Sequence, residues 1–338
     1  MPLSQQKFPV MFQSELQSAL SAVRQAAIVC RTVQSAITPA SLEKKDKSPV
    51  TIADFASQAL VCRQLQADFP EDPVIGEEGA AELRDGEADF LERIVASVEK
   101  AGVTASGEQV CDWIDRGGLH EYRSRFWTLD PIDGTKGFLR KEQYAISLAL
   151  IVDGEIKLGV LGCPNLAVTE GSDSIGVLAW AIEGQKAWMQ PLDKPDSDPV
   201  PLNVTQTATT PEARFCESVE SGHSAHGWSG KIAAQLGITN EPYRIDSQCK
   251  YLAVARGDAD IYLRLPTRKG YQEKIWDHAG GVIVVQEAGG QVTDIHGKVL
   301  NFKQGSTLAL NQGVIVSNGR FHDTVVAAVK DHAPDDIA

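Results

Sequence analysis

Two aspartates three residues apart are the side chains in this sequence best placed to do chemistry. Asp130 and Asp133 lie in the run WTLDPIDGTKG (residues 127–137), where an apolar lead-in predicts a strand that ends at Asp130 and the following proline and glycine predict a turn. Two carboxylates on one turn can bind the same cation, and the carbonyl of Ile132 between them can add a third oxygen. Hard divalent ions such as Mg²⁺ prefer oxygen ligands, so the run favours a magnesium site.

The residues that follow, Gly134-Thr135-Lys136-Gly137, are predicted to open a short helix beside those aspartates. The free backbone N–H groups at the start of a helix bind anions. A metal site next to free amides suits phosphoryl transfer, because the charge of the phosphoryl group must be neutralised while a water molecule is held in line. A solvated turn of ordinary turn-forming residues is the alternative, and this fragment alone leaves both interpretations open.

Three further acidic positions could complete such a site, although each also has an ordinary structural explanation. Glu77 lies in a Gly-Glu-Glu-Gly segment after a short apolar run, which could equally be a solvated acidic loop. Asp277 stands where a C-terminal helix is predicted to open and could be its N-cap. Asp54 falls at the start of a predicted helix, where the helix dipole favours an acidic residue.

The composition limits the classes of partner. With 32 Lys and Arg against 45 Asp and Glu, the chain has a formal net charge of −13, which argues against binding to nucleic acids or acidic membrane surfaces. No run approaches the roughly 18 apolar residues of a membrane span, and the first residues do not resemble a secretory signal, so we expect a cytoplasmic protein. Its six cysteines are widely spaced, without a Cys-x-x-Cys pair, which favours reduced thiols.

Apolar periodicity predicts the elements that must position these residues. An apolar stripe predicts a long helix over residues 12–37, and Asp153-Gly154 between two apolar runs predicts an antiparallel hairpin. After a linker rich in Pro and Asp (residues 191–201), strand and helix patterns alternate. We therefore expect two domains, residues 1–200 with helices and antiparallel strands, and residues 201–338 with an α/β layer.

Four ordered motifs resemble the inositol monophosphatase superfamily of Mg²⁺-dependent, lithium-sensitive phosphatases. They are Ser-Pro-Val-Thr…Asp54, Gly-Glu77-Glu, Asp130-Pro-Ile-Asp-Gly-Thr and Trp-Asp277-His-Ala-Gly-Gly. The resemblance covers roughly residues 12–320 and implies an α+β or α/β protein, a layered αβαβα sandwich of the inositol monophosphatase and sugar phosphatase type. One departure is the first glycine after the alanine of the last motif, Gly280, where the family usually has alanine.

The resemblance also implies roles for individual residues. Two or three Mg²⁺ ions would be bound by Glu77, Asp130, the carbonyl of Ile132, Asp133 and Asp277. Thr135 and Asp54 would together act as the base that activates the attacking water. The backbone amides of Gly134 and Thr135 would hold the phosphate.

Within the superfamily the chain is most similar to 3′(2′),5′-bisphosphate nucleotidases, because its aspartate motif continues as Lys-Gly-Phe-Leu-Arg. In those enzymes the nucleotide is contacted at positions that match His223, Ser247, Lys250, Arg264 and Asp277. A second phosphate needs cations, and Lys250 and Arg264 can supply them. His223 could instead be a surface imidazole, and Lys250 a lysine on a helix surface.

The expected reaction is attack by a metal-activated water on the 3′-phosphorus of adenosine 3′,5′-bisphosphate, which gives AMP and phosphate. Its sulfated relative, 3′-phosphoadenylyl sulfate, is a second candidate substrate. Two alternatives stay open, an inositol (poly)phosphate phosphatase of the same superfamily and a non-catalytic nucleotide-binding regulator. We expect a monomer whose partner is a small nucleotide, not a nucleic acid or a membrane.

Overall fold

The computed structural model describes residues 11–38, 49–86, 88–219, 226–334 and 337, which form five alternating layers of helices and strands. The helices are α1 Gln13–Ser35, α2 Pro49–Asp68, α3 Ala81–Arg84, α4 Ala88–Lys100, α5 Gly107–Asp115, α6 Thr135–Leu139, α7 His226–Leu236, α8 Cys249–Ala255, α9 Ala279–Glu287 and α10 His322–Asp331. The strands are β1 Val74–Gly76, β2 Arg125–Asp133, β3 Ala145–Val152, β4 Glu155–Ala167, β5 Ile175–Ile182, β6 Ala187–Pro191, β7 Val200–Pro201, β8 Phe215–Glu217, β9 Tyr243–Arg244, β10 Ile261–Arg264, β11 Gln291–Thr293 and β12 Val314–Ser317. None of the described helices is both long and apolar enough to cross a bilayer.

The first sheet has its strands in chain order, from β1 to β7. Only the pair β1–β2 is parallel, and every later pair is antiparallel. Asp153 and Gly154 have φ angles of 53° and 81°, the left-handed pair that a tight hairpin between twisted strands requires. The predicted antiparallel hairpin between β3 and β4 is therefore confirmed.

Both faces of the first sheet are buried. On β3, Ile146, Leu148 and Leu150 face the cluster that includes α1 and α2. The alternate residues Ala149 and Ile151 face the opposite cluster, where α8 and α9 pack. Since alternate side chains of a strand point to opposite faces, the near-continuous apolar run of β3 places this strand between two helical layers.

The second sheet has the order β11-β12-β10-β8-β9 and completes the layers. Tyr262 and Val316 pack with α8 and α9, whereas Ile261 and Ile315 pack with the outer helices α7 and α10. The layers therefore follow the order α1 and α2, first sheet, α8 and α9, second sheet, α7 and α10. This order confirms the αβαβα sandwich. The division into two domains near residue 200 stays a prediction.

Two sequence expectations need correction. β2 does not end at Asp130 but continues to Asp133, with a shift in its pairing to β3 between these residues. Pro131 has no N–H to donate, and pairing resumes where Asp133 lies opposite Ala145. In residues 80–125 the sequence pattern predicts one helix, around residues 89–101, and a variable loop, whereas the structure contains α3 and α5 in addition to that helix, α4.

Candidate active site

The pairing of β1 with β2 brings Glu77 and Asp130 together. These strands are parallel, with Gly76 opposite Leu129, so the next residue of each, Glu77 and Asp130, emerges at the same edge of the sheet. Glycine before Glu77 leaves room for Gln58 on α2, because a Cβ at Gly76 would lie 2.7 Å from Oε1 of this hydrogen-bonded side chain. The parallel register therefore joins two of the predicted metal ligands.

Helix α2 adds Asp54 to this edge. One turn further along the helix, Gln58 donates from Nε2 to the carbonyl oxygen of Glu78 (2.6 Å) and accepts from the Glu78 N–H (3.1 Å), which fixes α2 to this acidic segment. Asp54 is buried and lies in the second turn of α2, not at its start as expected. Burial, followed by the charges of Glu78 and Glu77, raises the pKa of Asp54 well above its usual value. The helix-dipole explanation for Asp54 therefore does not hold.

Asp133 connects the end of β2 to the second half of the chain. Its Oδ2 accepts a hydrogen bond of 2.5 Å from the backbone N–H of Gln248. Gly134, the N-cap of α6, has a φ of 95°, which only glycine adopts readily. A Cβ there would also lie 2.9 Å from Cβ of Ser247. The predicted short helix is confirmed, and its first residue, Thr135, is exposed.

A buried network holds Asp277 before α9. His278, not Asp277, is the N-cap residue of α9, so capping does not explain this aspartate. Arg264 lies at the end of β10, and its Nη2 donates to Oδ2 of Asp277 (3.4 Å). Its Nε donates to Oε2 of Glu273 (3.1 Å). Although burial opposes it, the hydrogen bond with His278 and the charge of Arg264 hold the pKa of Glu273 below its usual value.

The four predicted carboxylate ligands form one electrostatic cluster. Desolvation by the surrounding protein, followed by the charge of Asp277, raises the pKa of Asp133 to about 6 and that of the more exposed Glu77 to about 8. Burial, followed by the charges of Glu77 and Asp133, raises the pKa of Asp130 well above its usual value. Each carboxylate therefore disfavours the charged form of its neighbours.

This donor set fits a hard divalent cation. Oδ1 of Asp130 is buried and finds no hydrogen-bond partner among the described residues, which is costly for a polar atom that binds nothing. A cation between the carboxylates would satisfy this oxygen and offset the repulsion. Among the described residues, the group of three metal-binding side chains whose ligand atoms all lie within 4.8 Å of one another is a different one, Glu273, Asp277 and His278. Arg264 already pairs with two of these residues.

A cavity of ≈ 390 Å³ opens beside the cluster, within the usual range for small-ligand sites. Its lining includes predicted site residues from both halves of the chain: Asp133, Gly134, Thr135, Ser247, Lys250, Arg264 and Asp277. The remaining predicted nucleotide contact, His223, lies outside the described residues. The cavity thus brings together four predicted nucleotide contacts and two predicted metal ligands, and Asp277 belongs to both sets.

Lys250 is a buried cation. It is 5% exposed, its Nζ donates to Oγ of Ser218 (3.3 Å), and this nitrogen lies 5.2 Å from the ring centre of Tyr262. Burial lowers the pKa of Lys250, and the nearby carboxylate of Asp133 opposes this effect. The alternative that Lys250 lies on a helix surface is therefore wrong.

Sequence reasoning missed two residues that organise the site. Gln248 lies in the run DSQCKY (residues 246–251) and Glu273 in the run YQEKIW (residues 271–276), and nothing in these runs shows what either side chain binds. Within the described part of the chain, no direct hydrogen bond joins Thr135 to Asp54. Their joint role as the base stays a prediction.

Comparison with known proteins identifies the family. A family model for the inositol monophosphatase family matches residues 13–333. The chain belongs to this family and is a phosphatase. Members of the family generally depend on metal ions.

Curated relatives are similar over nearly the whole chain. A protein of Arabidopsis thaliana named 3′(2′),5′-bisphosphate nucleotidase 1 is 44% identical over 342 residues, which cover 95% of this chain and 96% of the relative. A 3′(2′),5′-bisphosphate nucleotidase of Emericella nidulans is 43% identical over 345 residues, covering 94% and 98%. Among solved structures, an IMPase of Thermotoga maritima has a TM-score of 0.64 at 23% identity, covering 95% of this chain and 99% of the other. That likeness confirms the fold.

Proposed function

We propose that this phosphatase hydrolyses the 3′-phosphate of adenosine 3′,5′-bisphosphate to give AMP and inorganic phosphate. The observation that carries the proposal is the cavity whose lining combines the carboxylates Asp133 and Asp277 with the cations Lys250 and Arg264. A single phosphate ester could be held by metal ions and backbone amides, whereas additional cations in the cavity suit a second phosphate. The names of the curated relatives point to the same class of substrate.

The proposed cofactor is Mg²⁺, as two or three ions. Their proposed ligands are Glu77, Asp130, the carbonyl of Ile132, Asp133 and Asp277. When bound, Mg²⁺ supplies positive charge that neutralises the phosphoryl group and makes water a better nucleophile. The unpartnered Oδ1 of Asp130 and the mutual repulsion of these carboxylates support this assignment.

The remaining chemistry is assigned to α2 and α6. The Thr135 hydroxyl, exposed at the start of α6, is proposed to hold the attacking water and pass its proton toward Asp54. The raised pKa of Asp54 makes this carboxylate a stronger base than an ordinary aspartate. The amides of Gly134 and Thr135 are proposed to bind the phosphate oxygens, and transfer goes directly to water without a phosphoenzyme.

Phosphate release from a panel of substrates tests the proposal. The panel contains adenosine 3′,5′-bisphosphate, 3′-phosphoadenylyl sulfate, inositol 1-phosphate and AMP, each with Mg²⁺, with a chelator, and with Mg²⁺ plus Li⁺. We expect release from the 3′-phosphorylated nucleotides that requires Mg²⁺ and is inhibited by Li⁺, and little release from AMP. Preference for the inositol phosphate would overturn the proposal, and tight nucleotide binding without release would favour a non-catalytic regulator.

A further inference from the structure

Gln248 is a buried glutamine that joins three parts of the site. Its Oε1 accepts hydrogen bonds from Oγ of Ser147 and from the N–H of Gly281, each at 3.1 Å. Its Nε2 donates to the carbonyl oxygen of Trp276 (2.9 Å), and its backbone N–H donates to Oδ2 of Asp133. One residue, 1% exposed, therefore ties β3, the turn before α9 and the end of β2.

These hydrogen bonds act on two proposed metal ligands. Gln248 binds Asp133 directly, and it binds the carbonyl of Trp276, the residue that immediately precedes Asp277. Asp133 belongs to the first sheet, whereas Asp277 lies between two strands of the second, and both carboxylates line the same cavity. Because both ends of the Gln248 amide are bound within the protein, its side chain acts by holding this repelling pair in place.

Gly280 allows Ser147 to reach Gln248. A Cβ at Gly280 would lie 2.5 Å from Oγ of Ser147 and 3.1 Å from Cδ2 of Leu161, but 3.6 Å from Cβ of Ser147. An alanine would therefore force the Ser147 hydroxyl to rotate away and break its hydrogen bond to Gln248. The structure thus places a serine hydroxyl in the space that an alanine methyl group would take at this position.

We propose that Ser147, Gly280 and Gln248 form a positioning unit that holds Asp133 relative to Asp277 and thereby increases the affinity for Mg²⁺. The inference rests on the proposed function, in which both aspartates bind the metal. Partners that orient metal ligands typically change metal affinity by about 10–100-fold. We expect about ten-fold weaker Mg²⁺ binding for Gln248→Met, at the low end of that range, because the backbone N–H that binds Asp133 is retained.

A mutant cycle on the full chain tests the unit. Mg²⁺ binding is measured by titration calorimetry for Ser147→Ala, Gly280→Ala and the double variant, together with the Tm of each metal-free protein. Both single variants are expected to weaken binding several-fold. The double variant is expected to bind no more weakly than Ser147→Ala, because the new methyl group fills the space of the lost hydroxyl. The inference is wrong if the two losses of Mg²⁺ affinity multiply in the double variant. It is also wrong if the single variants bind Mg²⁺ as tightly as the unsubstituted protein.

A control separates positioning from general stability. Thr293→Val removes a buried hydrogen bond of 2.8 Å to His322 outside the site and is expected to lower the Tm without weakening Mg²⁺ binding. If Gln248→Met behaves in the same way, Gln248 is merely structural and the inference is wrong. If the unsubstituted protein binds Mg²⁺ but releases no phosphate from the nucleotide, the proposed function fails while the binding cycle still decides the positioning role.

Discussion

Replacing Asp133 by asparagine is expected to stabilise the metal-free protein while it abolishes turnover. The substitution keeps the size of the side chain and an oxygen that can accept the hydrogen bond from the Gln248 N–H. It removes one negative charge from the carboxylate cluster. The charge is unfavourable in the metal-free protein, because desolvation and Asp277 raise the pKa of Asp133 from 3.8 to about 6 even though Lys250 and Arg264 oppose them.

The size of the effect follows from that pKa. A shift of about two units corresponds to about 3 kcal/mol at a pH above both values. Because Asp133 is partly exposed, solvent screening reduces this to about 1–3 kcal/mol. For a protein of this size each kcal/mol changes the Tm by about 2 °C, so the metal-free variant is expected to melt about 2–6 °C higher at pH 8. This increase in Tm should disappear below about pH 4, because the Asp133 carboxyl of the unsubstituted protein is then protonated in the folded and in the unfolded state.

Thermal unfolding with a chelator and with Mg²⁺, together with phosphate release, measures both consequences. Mg²⁺ should raise the Tm of the unsubstituted protein much more than that of the variant. A variant that melts below the unsubstituted protein in chelator at pH 8 would refute the electrostatic reasoning. Near-normal hydrolysis would refute the assignment of Asp133 as a ligand.

Three further predictions concern the same candidate site. Lys250→Met should raise the KM for adenosine 3′,5′-bisphosphate about ten-fold or more with a smaller change in kcat, since a charge-assisted hydrogen bond is worth about 1.5–3 kcal/mol; steady-state kinetics tests this, and an unchanged KM contradicts it. Glu273→Gln weakens the contact that orients Arg264 and should likewise raise KM several-fold, whereas a loss confined to kcat would contradict that role. The raised pKa values of Glu77 and Asp133 mean that the folded metal-free protein keeps protons which the unfolded chain has lost, so its stability should fall as the pH rises from about 4 to 8. The increase in Tm caused by Mg²⁺, measured by scanning fluorimetry, should then be larger at pH 8 than at pH 5.5, and an equal increase would contradict it.

The sequence predicted those elements whose signal is local. The hairpin at Asp153-Gly154 depends on two residues that tolerate left-handed φ angles, and α1 has one buried and one exposed face. The burial of helix α8 was not predictable, because all seven of its residues, Lys250 included, are buried, so it has no exposed face whose polar residues would mark a period. The four-residue helix α3 is too short for periodicity to detect.

The candidate site was predictable in composition but not in its internal contacts. The motifs supplied the types and order of the carboxylates, and the parallel register of β1 and β2 then decides that Glu77 meets Asp130. The role of Gln248 depends on Ser147, which is 101 residues away in the chain. No local pattern reports such a pair, because the hydrogen bond exists only after the helices and the first sheet have packed.

Both cations of the cavity interact with nearby carboxylates, Arg264 as an ion pair and Lys250 through the charge of Asp133, and this affects binding. Arg264 contacts Glu273 and Asp277. The charge of Asp133 is the strongest influence that favours the charged form of Lys250. When Mg²⁺ takes up the charge of Asp133 and Asp277, both cations become more available to a phosphate in a protein whose net charge is −13. Coupling between two ligands is reciprocal, so Mg²⁺ should tighten AMP binding by the same factor as AMP tightens Mg²⁺ binding. Calorimetric titration of AMP with and without Mg²⁺ measures this factor, and equal AMP affinities would show that the paired cations are not released.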